Sequence, residues 1–191
     1  MQATETPRLI LRPFTDDDLD AVAELFGNAE VMRFSLYGTK SRDQCAEWLA
    51  GVQAHYSTYG FGLWAAVWKD EQLGDGEQKV VGYCGLKTWD DIAGEKEVEI
   101  GYRFLPHTWG RGLATEAAIA SRDLGFGFGL KRLISLIEPE NVGSWRVAEK
   151  VGMTHERDLD IHGVHVRVYA IERLCAQGTR AEPSEPNSDG I

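Results

Sequence analysis

VEIGYRFLPHTWGRGLATEAAIASR, from Val98 to Arg122 of a 191-residue chain, decides the fold, because it reads as a strand, a glycine turn and a helix in succession. Val98, Ile100, Tyr102 and Phe104 alternate with Glu99, Gly101 and Arg103, the period-2 pattern of a strand with two different faces. Pro106 then stops it. Lacking an N–H, it cannot continue a ladder, so a neighbouring strand is free to diverge there and leave a slot. Further on, Gly110 and Gly112 let successive N–H groups point into one concavity, and the first turn of the next helix adds its own unpaired N–H groups and positive dipole end. Two isolated glycines would signify only a tight turn. The half-charged strand, the proline break and a helix with no acidic residue before Glu116 point instead to an anion cradle.

Two phosphate motifs are excluded. A Walker loop needs Gly-Lys-Ser/Thr, and Gly112 is followed by Leu113. A dinucleotide fingerprint needs a third glycine and an acidic residue after the next strand, and neither fits.

His107-x-x-Gly110-x-Gly112-x-Ala114 resembles the Gln/Arg-x-x-Gly-x-Gly/Ala pyrophosphate loop of the GNAT superfamily of acyl-CoA-dependent N-acetyltransferases, with His107 at the usual Gln or Arg position. The longer string EIGYRFLPHTWGRGLATEA is similar to the subgroup of bacterial ribosomal-protein N-terminal (RimJ/RimL-type) acetyltransferases with their spermidine and aminoglycoside relatives. The resemblance runs from about Pro7 to Arg173. It implies an α/β fold: a central mixed, mostly antiparallel sheet with a splayed parallel pair and helices on both faces. It also implies acetyl-CoA as co-substrate, no metal, an amine acceptor and room for a homodimer. By the same resemblance Phe104, Leu105, His107, Gly110, Arg111, Gly112, Leu113, Ala114 and Thr115 hold the cofactor, joined by Asn141 and Ser144.

Length allows one domain, expected over 1–175, with 176–191 a polar, turn-rich tail expected to be disordered. No window approaches the roughly 20 apolar residues of a membrane span and no leader pattern is present, so a soluble, cytoplasmic protein is expected. Cys45, Cys84 and Cys175 are scattered and odd in number, which suggests neither disulfides nor a zinc site. A net charge of −10 argues against sequence-independent nucleic-acid binding and suits a cationic amine, though an acidic surface also simply keeps proteins dispersed.

Along the chain, residues 1–6 are polar and expected to fray. A strand over 9–11 stops at Pro13. Thr15 caps a helix through Asp16, Asp17 and Asp18 to Phe26, the acids reading as cap and solvated turn rather than as metal ligands. Ser41 and Gln44 form a capping box for a second helix to about residue 56. Strands follow at 61–68, 80–88 and 95–104, with turns over 69–79 and 89–94. A helix at 114–128, an apolar strand at 132–137, a helix capped by Ser144 and stopped by Gly152, and a hairpin over His162-Gly163 complete the pattern. In the family the connection between the first two helices lines the acceptor site. Phe34, Tyr37 and Trp48 are therefore candidate substrate residues, as is Trp89, and aromatic core packing is their alternative.

Acetyl transfer needs a neutral amine, a polarised thioester carbonyl and a proton for the departing thiolate. Neutralising a lysine-like amine at pH 7 costs about 4–5 kcal/mol, an α-amine only about 1 kcal/mol, so an N-terminal acceptor demands less of a base. Glu99 is the candidate base, because a carboxylate on a central strand is costly unless used or paired. Pairing with Arg103 is the alternative, and Glu97 is the second candidate base. Backbone N–H groups near Phe104 are the candidate carbonyl polarisers, as in the family. Seven residues after Asn141, where many members carry an acid tyrosine, stands Ala148. Ser144 is the remaining candidate partner of the thiolate, with helix capping as its other reading, and a simple turn is the other reading of Asn141. Three acceptor classes stay open: a protein N-terminus, a polyamine and an aminoglycoside. The missing tyrosine also permits a non-catalytic acetyl-CoA sensor.

Overall fold

The two faces of the strand that ends at Phe104 carry different side chains, and two different pairs of helices cover them. The computed structural model describes residues 2–35, 37–69 and 79–173. Eight strands, β1 (Thr4–Glu5), β2 (Leu9–Arg12), β3 (Leu63–Trp68), β4 (Lys79–Ile92), β5 (Glu95–Phe104), β6 (Arg132–Ile137), β7 (Thr154–Ile161) and β8 (Val164–Glu172), form one sheet in the order β1-β2-β3-β4-β5-β6-β8-β7. Every neighbouring pair is antiparallel except β5 and β6, which are parallel. Helices α1 (Leu19–Gly27) and α2 (Arg42–Tyr59) lie on one face, α3 (Leu113–Gly127) and α4 (Val142–Val151) on the other. Ile100 and Phe104 pack with Leu113, Ala117, Ala148 and Val151 in one core; Leu63, Ala65 and Tyr83 pack with Val22, Phe26, Leu49 and Val52 in the second. This is the mixed sheet with helices on both faces that the resemblance implied.

Several local expectations change. The polar start is not frayed, because Thr4 and Glu5 pair with Leu11 and Ile10 as a short edge strand. Asp18 leaves the solvated triplet: it is buried and held by both Nη atoms of Arg12, each at 2.7 Å, which ties β2 to the 3-10 turn before α1. Burial raises its carboxyl, but the bonds from Arg12 and Thr15 outweigh that and hold it below the usual aspartate range. The Ser41–Gln44 capping box forms as read. The turn expected over 89–94 shrinks to Ala93-Gly94, both at positive φ (55° and 90°), because β4 continues through Trp89 and a bulge to Ile92. Ser144 is not the α4 cap: Asn141 is, its Oδ1 accepting from the Ser144 N–H at 3.2 Å. The turn over 70–78, Cys175 and the 176–191 tail lie outside the described residues. Cys45 and Cys84 are free and buried; the Cys84 thiol, 3.3 Å from the Ser121 hydroxyl, is pushed by burial up to about 12.

Candidate active site

The parallel partners β5 and β6 share a single register pair, Glu99 with Ile134, and then separate. Two side chains bridge the parting point. Ser135 Oγ donates to the Ile100 carbonyl at 2.9 Å, and the Leu136 N–H reaches Glu99 Oε1 at 3.4 Å. Beyond them the slot widens into a cleft of about 1220 Å³ that crosses the sheet from the α1–α2 side to the α3–α4 side.

On the α3–α4 side the cleft meets the glycine turn. Gly110 and Gly112 both adopt left-handed backbone (φ 72° and 79°), and Gly112 opens α3. Among the described residues the N–H groups of positions 110–115 find no acceptor, as the start of a helix dictates. A side chain at Gly110 would meet nothing within 4 Å, so the concavity is open. Gly110, Gly112, Leu113, Ala114 and Thr115 line the cleft, and so do Phe104, Asn141 and Ser144. The Leu105 N–H bonds the Val81 carbonyl at 2.9 Å, so the alternation of an antiparallel ladder turns the Phe104 N–H away from β4 and into the slot. The Phe104 carbonyl, pointing the same way, accepts from Trp109 Nε1 at 2.7 Å. Tyr102 donates its hydroxyl to the Ser144 carbonyl at 2.8 Å, and the Ser144 hydroxyl makes no hydrogen bond among the described residues.

Three expected cofactor residues are not brought to the cleft. Leu105 is buried in the α1–α2 core, His107 is exposed on the 3-10 turn Pro106–Thr108, and the Arg111 guanidinium sits 5.1 Å from the centre of the Trp68 ring. Arg111 contributes through its backbone: its carbonyl accepts from Arg8 Nη1 at 2.7 Å. The same Arg8, with its own N–H and Nε, grips Glu116, to which Thr6 also donates at 2.6 Å. The one acidic residue in the first turn of α3 is thereby neutralised beside the cradle.

The α1–α2 side gathers Phe34, Tyr37, Trp48 and Trp89, all lining the cleft. Tyr37 is 75% exposed at the rim, whereas Trp48 is packed edge-on against Phe14 and Phe26. Glu99 accepts from Trp89 Nε1 at 2.7 Å. It makes no ion pair with Arg103, which lies against the Met32 sulfur. Burial pushes the Glu99 carboxyl above the ordinary glutamate value, opposed chiefly by the charge of Lys87, its cross-strand partner. Glu97, the second candidate base, is fixed by Arg132 and does not line the cleft.

Sequence reasoning missed Lys87, Met32 and His55, and took Arg103 only as a partner for Glu99. Strand alternation alone places Arg103 on the Glu99 face, and the β4–β5 register adds Lys87. His55 is held from both ring nitrogens, Nδ1 to the Phe61 carbonyl at 2.9 Å and Nε2 to the Thr88 N–H at 3.1 Å. A backbone N–H on Nε2 requires that nitrogen to be unprotonated, so the ring is neutral and Nδ1 is the donor.

The family model of the acetyltransferase (GNAT) domain matches residues 8–154, and the chain belongs to that family. YkkB of Bacillus subtilis (strain 168), described as uncharacterized, is 35% identical over 168 residues, 86% of this chain and 92% of that one. A GNAT-family acetyltransferase structure from Bacillus anthracis superposes with a TM-score of 0.74 at 26% identity, covering 90% and 98% of the two chains. RimL, a ribosomal L7/L12 alpha-N-protein acetyltransferase solved with coenzyme A, shares the fold at TM-score 0.67 and 16% identity, over 90% and 98%. No single subgroup stands out among the matches. The chain is thus an acetyl-CoA-dependent acetyltransferase. Among the described residues no helix is long and apolar enough to cross a membrane, and no three His, Cys, Asp or Glu side chains group as a metal site.

Proposed function

We propose that this enzyme acetylates a primary amine presented to Glu99, an α-amine such as a protein N-terminus, within the ribosomal-protein N-terminal subgroup. The observation that carries the reading is Glu99 itself: a carboxylate facing the cleft where β5 and β6 part, oriented by Trp89 and free of any ion pair among the described residues. Acetyl-CoA supplies an activated thioester. The open cradle of N–H groups over 110–115 suits its pyrophosphate, and the slot beyond the Ser135–Ile100 bond, where β5 and β6 part, suits its extended arm.

Glu99 takes the ammonium proton, directly or through water, so that the nitrogen lone pair is free to form the new N–C bond as the C–S bond breaks. The Phe104 N–H faces the slot and is our candidate donor to the carbonyl oxygen, where charge develops. The Ser144 hydroxyl, released from capping, is our candidate donor to the leaving sulfur. Asn141 spends its Oδ1 on the α4 cap and keeps its Nδ2 for an amide carbonyl.

Polyamines and aminoglycosides fit less well. Four cations, Arg33, Lys40, Lys87 and Arg103, line the α1–α2 half of the cleft against two carboxylates, Glu30 and Glu99. Acetyl-CoA turnover, followed as free thiol across N-terminal peptides, polyamines and aminoglycosides, tests the reading. Turnover of N-terminal peptides ahead of polyamines and aminoglycosides is expected; preferred turnover of a polyamine or aminoglycoside would overturn the acceptor class.

A further inference from the structure

The acceptor half of the cleft carries a polarity that an amine alone does not satisfy. Glu99, Gly101 and Arg103 share one face of β5, and a side chain at Gly101 would meet only Leu63 Cδ2, at 3.9 Å. A hollow therefore opens over Gly101 with a carboxylate at one end and a guanidinium at the other. Four residues at about 3.3 Å of rise set the two Cα atoms about 13 Å apart. Arg103 Nη1 lies against the Met32 sulfur, and among the described residues no carboxylate pairs with it. Most other arginines of the strands and helices are closed by acids, as Arg12 is by Asp18, Arg42 by Asp20 and Arg132 by Glu97 and Glu156. Lys87, with its Nζ 3.5 Å from the centre of the Trp89 ring, adds a second cation beside the hollow. A guanidinium left open in a cleft wall is a ready partner for a planar oxyacid group.

Resting on the acetyl-transfer reading above, we propose that the acceptor carries a carboxylate of its own, held by Arg103 while its amine lies at Glu99. Two hydrogen bonds of about 2.8 Å and the reach of the two side chains leave space for a linker of a few bonds. That is the separation in a γ-amino acid and in a peptide whose first residue is glutamate, four bonds in each. Met32, itself buried, closes the Arg103 end, which sets the length the hollow accepts.

The test pairs each acid with its neutral amide: γ-aminobutyrate with 4-aminobutyramide, and a Glu-first with a Gln-first peptide, both C-terminally blocked. The acid is expected to exceed its amide in kcat/KM by about tenfold or more, as one charge-assisted pair implies. The arm that shows the preference identifies the source as a free amino acid or a peptide. In Arg103→Gln the acid-to-amide ratio is expected to fall toward one, and Arg103→Lys to restore part of it. Gly101→Val, at ordinary backbone angles and in open space, is expected to raise the acceptor KM and leave the acetyl-CoA KM unchanged. Equal rates on acid and amide, or a ratio that Arg103→Gln leaves intact, would overturn the proposal and leave acetyl transfer standing. Silence toward every amine, acid and amide alike, would overturn both.

Discussion

Glu97 and Glu99 stand two residues apart on the same face of β5, and their surroundings differ completely. Glu97, 4% exposed, meets Arg132 Nε at 3.1 Å, and the same guanidinium bonds Glu156 at 2.7 and 2.9 Å. Glu99 meets no cation at ion-pair distance and is oriented by an indole N–H and a backbone N–H. The cause is what β6 sets beside each. Arg132 lies alongside Glu97, whereas the residue in register with Glu99 is the apolar Ile134, after which the two strands part. A costly charge on a strand is thus informative only together with its neighbour: one closed by the next strand holds the fold, and one left open is available for chemistry.

The strongest way to break this contrast is to neutralise each acid site in turn. Glu99→Gln is expected to lower kcat about 10²- to 10⁴-fold, the range of a lost general base, with the acetyl-CoA KM little changed. Because burial raises the Glu99 carboxyl, its ionised form works against folding as pH rises through its folded-state pKa. Glu99→Gln should therefore hold or raise Tm, and a fall in Tm with full activity would reverse the assignment. Arg132→Met should do the opposite, costing about 3 kcal/mol in denaturant unfolding by stranding Glu97, while kcat of the folded fraction stays.

A smaller effect is expected from the cradle. Gly110→Val with Gly112→Val forces branched side chains into left-handed backbone, and the acetyl-CoA KM should rise about tenfold; an unaltered KM would remove the cradle from the site. The pH profile sharpens the comparison without mutation. The acid limb of kcat/KM should titrate above the ordinary glutamate pKa of about 4.3 and vanish in Glu99→Gln. Least of all, Ser135→Ala removes one buried bond at the parting point and should cost about 1 kcal/mol of stability.

Most strands, both capping signals of α2 and the parallel step from β5 through α3 to β6 were legible, because each rests on local period or turn chemistry. The α4 cap was not. Asn141 and Ser144 are both good cap residues three apart, and only the backbone at Asn141 (φ −79°, ψ 65°) decides between them. Asp90, Asp91 and Gly94 give Trp89 the surroundings of a turn residue in the sequence, whereas the bulge that keeps β4 going depends on its partner strand. In the site, Glu99 and the glycines followed from pattern, and Arg103 lay in the same string. Its solitude did not follow: whether Arg103 pairs with Glu99 depends on side-chain reach along the strand and on Met32 arriving from a distant segment. His107 and Arg111 were carried by the loop motif, yet only the loop's backbone faces the cleft.

The clasp of Thr6 and Arg8 on Glu116 and Arg111 also bears on the order of assembly. These bonds join residues 103 to 110 positions apart, so the cradle is braced only after nearly the whole intervening chain has been threaded into place. Contacts of such separation form late, since loop closure precedes their reward. During synthesis or refolding, competence to hold a pyrophosphate should be among the last properties acquired, and it marks the molecules whose first strand has found its seat.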